Sequence, residues 1–297
     1  MNVRPITPGD AGAIAAMAGA DEAALSGRPS QLSAADFLEW WGRTELATDS
    51  RVYEEDGRPV AAVWADCMDD LGVVVGFVAQ GAKGRGLGGR LVDFGEERLR
   101  AREAKRVQVV TLALDTAAAE LMALRGYEEV RRFFDMVIEL EEPPPPPALP
   151  AGLSLETFRE GDARAFHDAL DEAFQDHWEH HSVPFEKWWE QRRNAPSYDG
   201  TLWFVVRDGD ELAAVARNEP ERRGGGYVGA LGVRRPWRGQ GLGRALLLHT
   251  FGAFWARGQK RVVLGVDAAN PTGATKLYES AGMTVEMEAV VWEKAVA

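Results

Sequence analysis

The sequence predicts an α/β (α+β) protein made of two tandem domains, each with a mixed, mostly antiparallel central sheet flanked by helices. A length of 297 residues suits two domains of ordinary size better than one core. A proline-rich segment divides the chain near its middle, and the same series of motifs occurs once on each side of it. In each half, strand patterns come first and alternating helix and strand patterns follow.

The dividing segment is the run Pro143 to Pro147 followed by Ala148-Leu149-Pro150. Such a run forms neither helix nor sheet and adopts a stiff polyproline II conformation. Its central position favours an interdomain spacer over a PxxP docking ligand. We therefore predict an N-terminal domain over 1–142, a linker over 143–150 and a C-terminal domain over 151–297.

An internal repeat supports this division. The matching motifs keep the same order in both halves, and their offsets are 148 to 152 residues early in each half and 155 at a glycine-rich loop. The matched pairs are Gly9-Asp10 with Gly161-Asp162, Trp40-Trp41 with Trp188-Trp189, Asp56-Gly57 with Asp208-Gly209, and 83–88 with 238–243. The paired tryptophans are interpreted as helix-packing anchors rather than as walls of a ligand pocket.

The elements of the second half follow from periodicity and turn residues. A first strand and a helical region ending near Trp188-Trp189 precede a hairpin, which turns at Asp208-Gly209-Asp210 because Asp-Gly is a common hairpin turn. The elements predicted from the hairpin onward are strands 201–207, 211–216 and 227–233, a helix from about 242 to 257, a strand over 261–267, a short helix through Tyr278 and a strand over 284–292.

Composition limits the partners of the protein. Hydrophobic residues make up 45% and charged residues 27%, and no apolar run approaches the roughly 20 residues of a membrane helix. The net charge of -12 argues against nucleic acid, because binding it requires cationic side chains that neutralise phosphates. The start of the chain lacks the plan of a secretory signal and Cys67 is the only cysteine, so we expect a cytoplasmic protein without membrane or nucleic-acid partners.

The loop Arg238-Gly239-Gln240-Gly241-Leu242-Gly243 lies between a predicted strand and a predicted helix. Glycines leave the main chain accessible, and the unpaired N–H groups of a helix start attract anions. The loop therefore predicts a site for a diphosphate-bearing cofactor. A dinucleotide fold is the alternative, since Gly84, Gly86 and Gly89 spell G-x-G-x-x-G, but that fold places its loop directly after the first strand.

At this loop the sequence resembles the GNAT superfamily of N-acetyltransferases, whose coenzyme loop reads Q/R-x-x-G-x-G/A. Arg238, Gly241 and Gly243 satisfy the pattern. The segment 270–283 is similar to the next signature of that family, an Asn, then Leu-Tyr-Glu, then Gly-Phe, with Met283 in place of the phenylalanine. The resemblance covers nearly all of 151–297 and, more loosely, 1–140. It implies two tandem acyl-CoA N-acyltransferase-like domains.

The resemblance also implies roles for individual residues. Acetyl-CoA is the implied co-substrate, and Tyr278 is the implied general acid that protonates the leaving thiolate. The Val233 N–H is implied to hold the oxyanion, as preorganised donors do. The residues implied to bind the coenzyme are Leu231, Gly232, Val233, Arg238, Gly239, Gln240, Gly241, Leu242, Gly243, Arg244 and Asn270.

One element of the family pattern is missing. Many members carry a Glu on the strand before the loop, and the strand 227–233 has no carboxylate. Candidates for the general base are Glu219 and Glu221 on the preceding turn, Tyr227 acting through water, and the histidines at 177, 180 and 181. The histidines could instead hold a metal, but no cysteine or carboxylate set joins them, so no metal is predicted.

The first half keeps the loop, with Lys83 in place of Arg238, but places Met122 where Tyr278 stands. A thioether cannot donate a proton, so we expect this half to be catalytically degenerate, whether or not it still holds coenzyme A. Its span from Asp115 to Gly126 is four residues shorter than the span from Asp267 to Gly282.

The sequence is compatible with two functions. The first is an N-acetyltransferase that transfers the acetyl group directly to a primary amine of a small molecule or peptide. The second is a non-catalytic acyl-CoA-binding sensor, which the missing carboxylate would favour. The identity of the acceptor and the oligomeric state lie beyond the sequence.

Overall fold

The computed structural model of the protein describes residues 1–270 and 272–296. The chain forms two compact units. Unit 1 comprises Met1–Phe133 together with the C-terminal segment that starts at Met287, and unit 2 comprises Phe134–Glu286. None of the helices in the described part of the chain combines the length and apolar character that a membrane span requires.

Unit 1 has a sheet flanked by helices. Its strand order is β1-β2-β3-β4-β5-β12, in which β1 to β4 pair antiparallel, β4 pairs parallel with β5, and β5 pairs antiparallel with β12. The strands are β1 (Asn2–Arg4), β2 (Ser50–Glu55), β3 (Arg58–Met68), β4 (Leu71–Val78), β5 (Arg106–Leu112) and β12 (Thr284–Ala295). The helices are α1 (Ala11–Ser26), α2 (Ala34–Trp40), α3 (Leu46–Asp49), α4 (Leu87–Ala101) and α5 (Thr116–Leu124).

Unit 2 repeats this plan. Its strand order is β6-β11-β10-β9-β8-β7, in which β7 to β10 pair antiparallel and β10 pairs parallel with β11. The strands are β6 (Glu128–Glu139, of which the part from Phe134 onward belongs to unit 2), β7 (Leu153–Thr157), β8 (Phe204–Asp208), β9 (Glu211–Arg222), β10 (Gly225–Val233) and β11 (Arg261–Asp267). The helices are α6 (Ala163–Phe174), α7 (Phe185–Arg193), α8 (Leu242–Ala256) and α9 (Ala274–Ser280).

These elements confirm the predicted mixed, mostly antiparallel sheets with flanking helices. Two predicted strand boundaries are wrong: β8 begins only at Phe204, because Gly200–Leu202 forms a 3₁₀ turn, and β9 continues to Arg222 instead of ending at 216. The Asp199 carboxylate causes the 3₁₀ turn by accepting a hydrogen bond from the Thr201 N–H at 3.0 Å, as a helix cap does. The predicted domain boundaries at 142 and 150 follow the sequence repeat and stay a prediction.

The last strand of the chain belongs to unit 1. Residues 289–295 of β12 lie opposite 106–112 of β5, and the Trp292 indole N–H donates to the Thr111 hydroxyl at 2.9 Å. The Lys294 ammonium lies 3.0 Å from the buried Glu96 carboxylate on α4. Unit 1 therefore takes its closing strand from the far end of the sequence.

Both faces of the unit 2 sheet are covered. Helix α8 packs on one face through Leu246, Phe251 and Phe254, and α6 and α7 pack on the other through Phe166 and Trp188. Trp188 is buried in the hydrophobic core of unit 2, and Trp41 is buried in that of unit 1. The interpretation of the paired tryptophans as packing anchors agrees with this placement.

Candidate active site

The two central parallel strands of unit 2 separate toward their carboxyl ends. Strands β10 and β11 pair at Gly226–Val262 and Tyr227–Val263, whereas β10 continues to Val233 with only β9 beside it in the described part of the chain. A gap therefore opens between the two strands beyond Tyr227.

Main-chain donors point into this gap. The Arg234 N–H bonds to the Ala213 carbonyl on β9, which makes that pair a hydrogen-bonded one. Because such pairs alternate along an antiparallel ladder, the N–H groups of Leu231 and Val233 point away from β9, toward the gap. The role of Gly232 is to let α6 pack closely against the strand, since a Cβ at this position would lie only 2.8 Å from Ala173 on α6.

The glycine loop follows the strand and leads into α8. Gly239 and Gly241 have φ values of 77° and 82°, a left-handed conformation that favours glycine, and a Cβ at either position would meet no atom within 4 Å. The first regular helical bond of α8 runs from the Ala245 N–H to the Gly241 carbonyl, so the preceding N–H groups stay available for an anion. The loop is therefore open and preorganised for a diphosphate.

Other predicted loop residues have structural contacts. The Leu242 side chain is buried in the hydrophobic core, so only its main chain can reach a ligand. Gly243 permits close helix packing, because a Cβ there would lie 3.0 Å from Leu277 on α9. The Gln240 amide donates to the Pro236 carbonyl at 3.4 Å. Arg244 is exposed on the first turn of α8.

The Arg238 guanidinium holds the loop in place. It donates to the main-chain carbonyls of Val233 at 3.1 Å and Ala173 at 3.2 Å, and lies 3.6 Å from the Asp176 carboxylate. This side chain connects the end of β10 to α6 and stays on the β10 side of the gap.

Tyr278 lies on α9, and its side chain is only 8% exposed. Its hydroxyl makes no hydrogen bond with any residue of 1–270 or 272–296. Burial, with a smaller contribution from nearby Tyr227, raises the pKa of Tyr278 to about 12. The phenol is therefore neutral at neutral pH and has a proton to donate.

Asn270 lies in the turn between β11 and α9. Its side-chain oxygen accepts hydrogen bonds from the Thr272 N–H at 2.8 Å and the Thr272 hydroxyl at 2.6 Å. This is an Asx turn, which shapes the start of α9. The predicted signature also includes Pro271, which lies outside the described residues.

The base candidates are dispersed. Glu219 and Glu221 lie on β9, not on a turn before β10 as predicted, because the hairpin turn comes only after Arg222. The His180 ring lies 3.1 Å from Asp171, and the His181 ring lies 3.6 Å from Glu179. His177 is half-buried, and burial lowers its pKa.

Glu219 has the most unusual environment among these candidates. The residue is 3% exposed and lies directly opposite Tyr227 in the ladder. One of its oxygens accepts a hydrogen bond from Arg217 at 2.8 Å, whereas Oε2 is fully buried without a hydrogen bond and lies 3.8 Å from Arg222. Leaving a buried acceptor unpaired typically costs about 1–3 kcal/mol, which marks the group as a functional candidate.

The sheet is exposed to solvent at one position of β11. Gly265 in the middle of β11 is exposed, although its neighbours on the strand are buried. A Cβ at Gly265 would lie 3.4 Å from the Tyr227 hydroxyl and 3.8 Å from the Asp135 carboxylate. This exposed position could not be recognised from the sequence, because glycine within a strand is also common at bulges.

Unit 1 preserves the architecture without the phenol. A Cβ at Gly88 would lie 3.1 Å from Leu121, which matches the contact of Gly243 with Leu277, and Met122 next to Leu121 is buried where Tyr278 lies in unit 2. No group of three or more metal-ligating side chains occurs in the described residues of either unit.

Comparison with known proteins agrees with this architecture. The model of the Acetyltransferase (GNAT) family matches residues 17–127 and 163–283. A mycothiol acetyltransferase from Thermobispora bispora is 34% identical over 94% of this chain and 94% of that protein. A second, from Geodermatophilus obscurus, is 33% identical over 73% of this chain and 72% of that protein.

Solved structures give the same result. A GCN5-related N-acetyltransferase from Sphaerobacter thermophilus matches 99% of this chain and 95% of its own, with a TM-score of 0.87 and 34% identity. A tandem GNAT protein from the clavulanic acid biosynthesis pathway has a TM-score of 0.75 at 18% identity, over 99% of this chain and 98% of its own, and supports the fold alone. The chain thus belongs to the GNAT acetyltransferase family and is an acetyltransferase with two tandem domains of that fold.

Proposed function

We propose that unit 2 transfers the acetyl group of acetyl-CoA directly to the primary amine of a small molecule or peptide. The observation that carries this proposal is the gap between β10 and β11, which leads straight into the open loop at Gly239 and Gly241. A gap lined by main-chain N–H groups accommodates an extended pantetheine arm, and the loop accommodates the diphosphate.

The proposed chemistry uses three groups of this chain. The Val233 N–H stabilises negative charge on the thioester oxygen as the amine attacks. The Tyr278 hydroxyl hydrogen-bonds to the leaving sulfur and gives up its proton as the carbon–sulfur bond breaks. Because a free thiol has a pKa near 8.5, transfer from a phenol of higher pKa is uphill, so the hydrogen bond at the sulfur is the larger contribution.

Glu219 is the proposed proton acceptor for the attacking amine. Its buried Oε2, which accepts no hydrogen bond, and its position opposite Tyr227 support this role. The exposed strand at Gly265 is the proposed entrance for the acceptor, because it lies beside the Tyr227 hydroxyl. A carboxylate on β9 replaces the one that β10 lacks, which favours the enzyme over the non-catalytic sensor.

The test is thiol release from acetyl-CoA across a panel of amines. Because the matching relatives are named mycothiol acetyltransferase, the deacetylated form of mycothiol is the first acceptor to assay. Tyr278→Phe, Glu219→Gln and Arg238→Ala should each lower the rate. Tyr198→Phe is the matched control, because that ring packs on Trp189 and Trp203 in the core. Unchanged rates in Tyr278→Phe and Glu219→Gln, with an active wild type, would contradict the assigned roles.

A further inference from the structure

The corresponding gap in unit 1 is bridged by an ion pair. Strands β4 and β5 pair from Leu71–Arg106 to Val74–Val109 and then separate, as β10 and β11 do. The Lys83 ammonium, from the loop after β4, lies 3.1 Å from the Asp115 carboxylate after β5 and 2.7 Å from Asp21 on α1. The lysine side chain is 27% exposed and the two carboxylates 16% and 13%.

Unit 2 has the same positions with different chemistry. Strands β5 and β11 both have seven residues, and the turn residues Asp115 and Asn270 each follow three residues after the strand ends. Asp115 caps α5 by accepting from the Ala118 N–H at 2.9 Å, whereas Asn270 accepts from Thr272 in its own turn. A neutral amide thus replaces a carboxylate in unit 2.

The cations of the two loops also differ in their partners. In unit 2, Arg238 bonds to carbonyls on its own side of the gap and lies 3.6 Å from the Asp176 carboxylate. In unit 1, Lys83 reaches across the gap, and the second loop cation, Arg85, is paired with Glu55 at 2.9 Å. Both loop cations of unit 1 are therefore neutralised by carboxylates of this chain.

We infer that the Lys83–Asp115–Asp21 bridge closes the gap of unit 1 against acyl-CoA, so that the protein carries a single coenzyme site, and that Asp115 and Asp21 determine this. The inference rests on the proposed function of unit 2. A pantetheine arm entering between β4 and β5 has to break the bridge. The two carboxylates left behind repel the phosphates of the coenzyme, because like charges in a half-buried site are poorly screened.

The experiment measures the stoichiometry of coenzyme A binding to the full-length protein by isothermal titration calorimetry. Wild type should bind about one coenzyme per chain. Asp21→Asn combined with Asp115→Asn should raise the number to about two, since asparagine keeps the helix cap and removes the charge. The matched control is Glu129→Gln, which removes an exposed ion pair with Arg132 in unit 1 and should leave the number at one.

A unit 2 variant separates this inference from the proposed function. Gly241→Val fills the loop of unit 2 and should abolish binding in the wild-type background. In the double asparagine background it should leave one site. Circular dichroism and Tm verify that each variant is folded.

Each outcome decides one of the two proposals. Two sites in wild type, or coenzyme A binding by the single variant Gly241→Val, would overturn the inference that the bridge closes unit 1. A wild type that binds no coenzyme A would overturn the proposed function, and the double asparagine variant would then decide the role of the bridge by gaining a site or failing to gain one. Failure of that variant to gain a site in any background would also overturn the inference.

Discussion

Replacing Tyr278 by phenylalanine tests the catalytic assignment with the smallest perturbation. The change removes one hydroxyl that has no hydrogen-bond partner among the described residues and keeps the ring that packs in the core. Because this hydroxyl makes no hydrogen bond within the described residues, the free energy of unfolding of the variant should stay within about 1 kcal/mol of the wild-type value. Catalysis should suffer, since loss of a positioned proton donor typically slows a reaction about 10²–10⁴-fold.

A loss of that size corresponds to about 2.7–5.4 kcal/mol of transition-state stabilisation. We expect kcat to fall by this factor while the KM for acetyl-CoA changes little, because the hydroxyl acts at the sulfur only as the bond breaks. The assay is steady-state thiol release with the best amine of the panel. A kcat within twofold of wild type, in a folded variant, would refute the reasoning.

The raised pKa of Tyr278 gives the same variant a second signature. The unfolded chain loses this proton near pH 10.0, whereas the folded protein keeps it until about 12. The stabilising contribution of the neutral phenol is therefore fully present below pH 10 and is lost as the pH rises through about 12. Urea titrations between pH 9 and 12 should show a steeper alkaline decline in the free energy of unfolding for wild type than for Tyr278→Phe.

Three further predictions concern other parts of the molecule. Glu219→Gln should lower kcat/KM for the amine about 10²-fold or more, whereas His177→Gln should leave it within about twofold of wild type; the reverse result would move the base to His177. Gly265→Val should raise the KM for the acceptor and leave coenzyme A affinity unchanged by calorimetry, because only the opening beside Tyr227 is narrowed. A chain truncated after Glu286 should lack a folded unit 1 by circular dichroism. The truncation removes most of β12 and the buried side chains of Val290, Val291 and Val296, and with them about 5 kcal/mol or more, which is comparable with the whole stability of a domain.

The repeat, the glycine loop and the contrast between Tyr278 and Met122 were predictable from the chain alone. Each depends on local chemistry: glycine where the main chain is left-handed, good helix formers after it, and a phenol or a thioether at a fixed distance from the loop. Such features leave a signal in adjacent residues, and the structure confirms the elements that carry them.

The environment of Glu219 and the pairing of Lys83 could not be predicted in this way. Alternating periodicity identifies a strand but not the strand that lies beside it. The sequence therefore predicts a turn at Glu219, which lies on β9, and does not show that the last strand, β12, pairs with β5 of the first half. The comparison of spans matched Asp115 with Asp267 and so made the first half four residues shorter. The ends of β5 and β11 show instead that Asp115 corresponds to Asn270, because each lies three residues after its strand.

Burial and ion pairing depend on residues far apart in the sequence. In the sequence, an acidic residue gives no sign of whether its side chain is solvated, bonded to an arginine or paired with a lysine across a gap. Its chemistry is fixed by the neighbours that the fold supplies, such as Lys83 for Asp21 and Tyr227, on the adjacent strand, for Glu219. The chain therefore specified which groups are present, and long-range packing selected which of them meet and which stay unpaired.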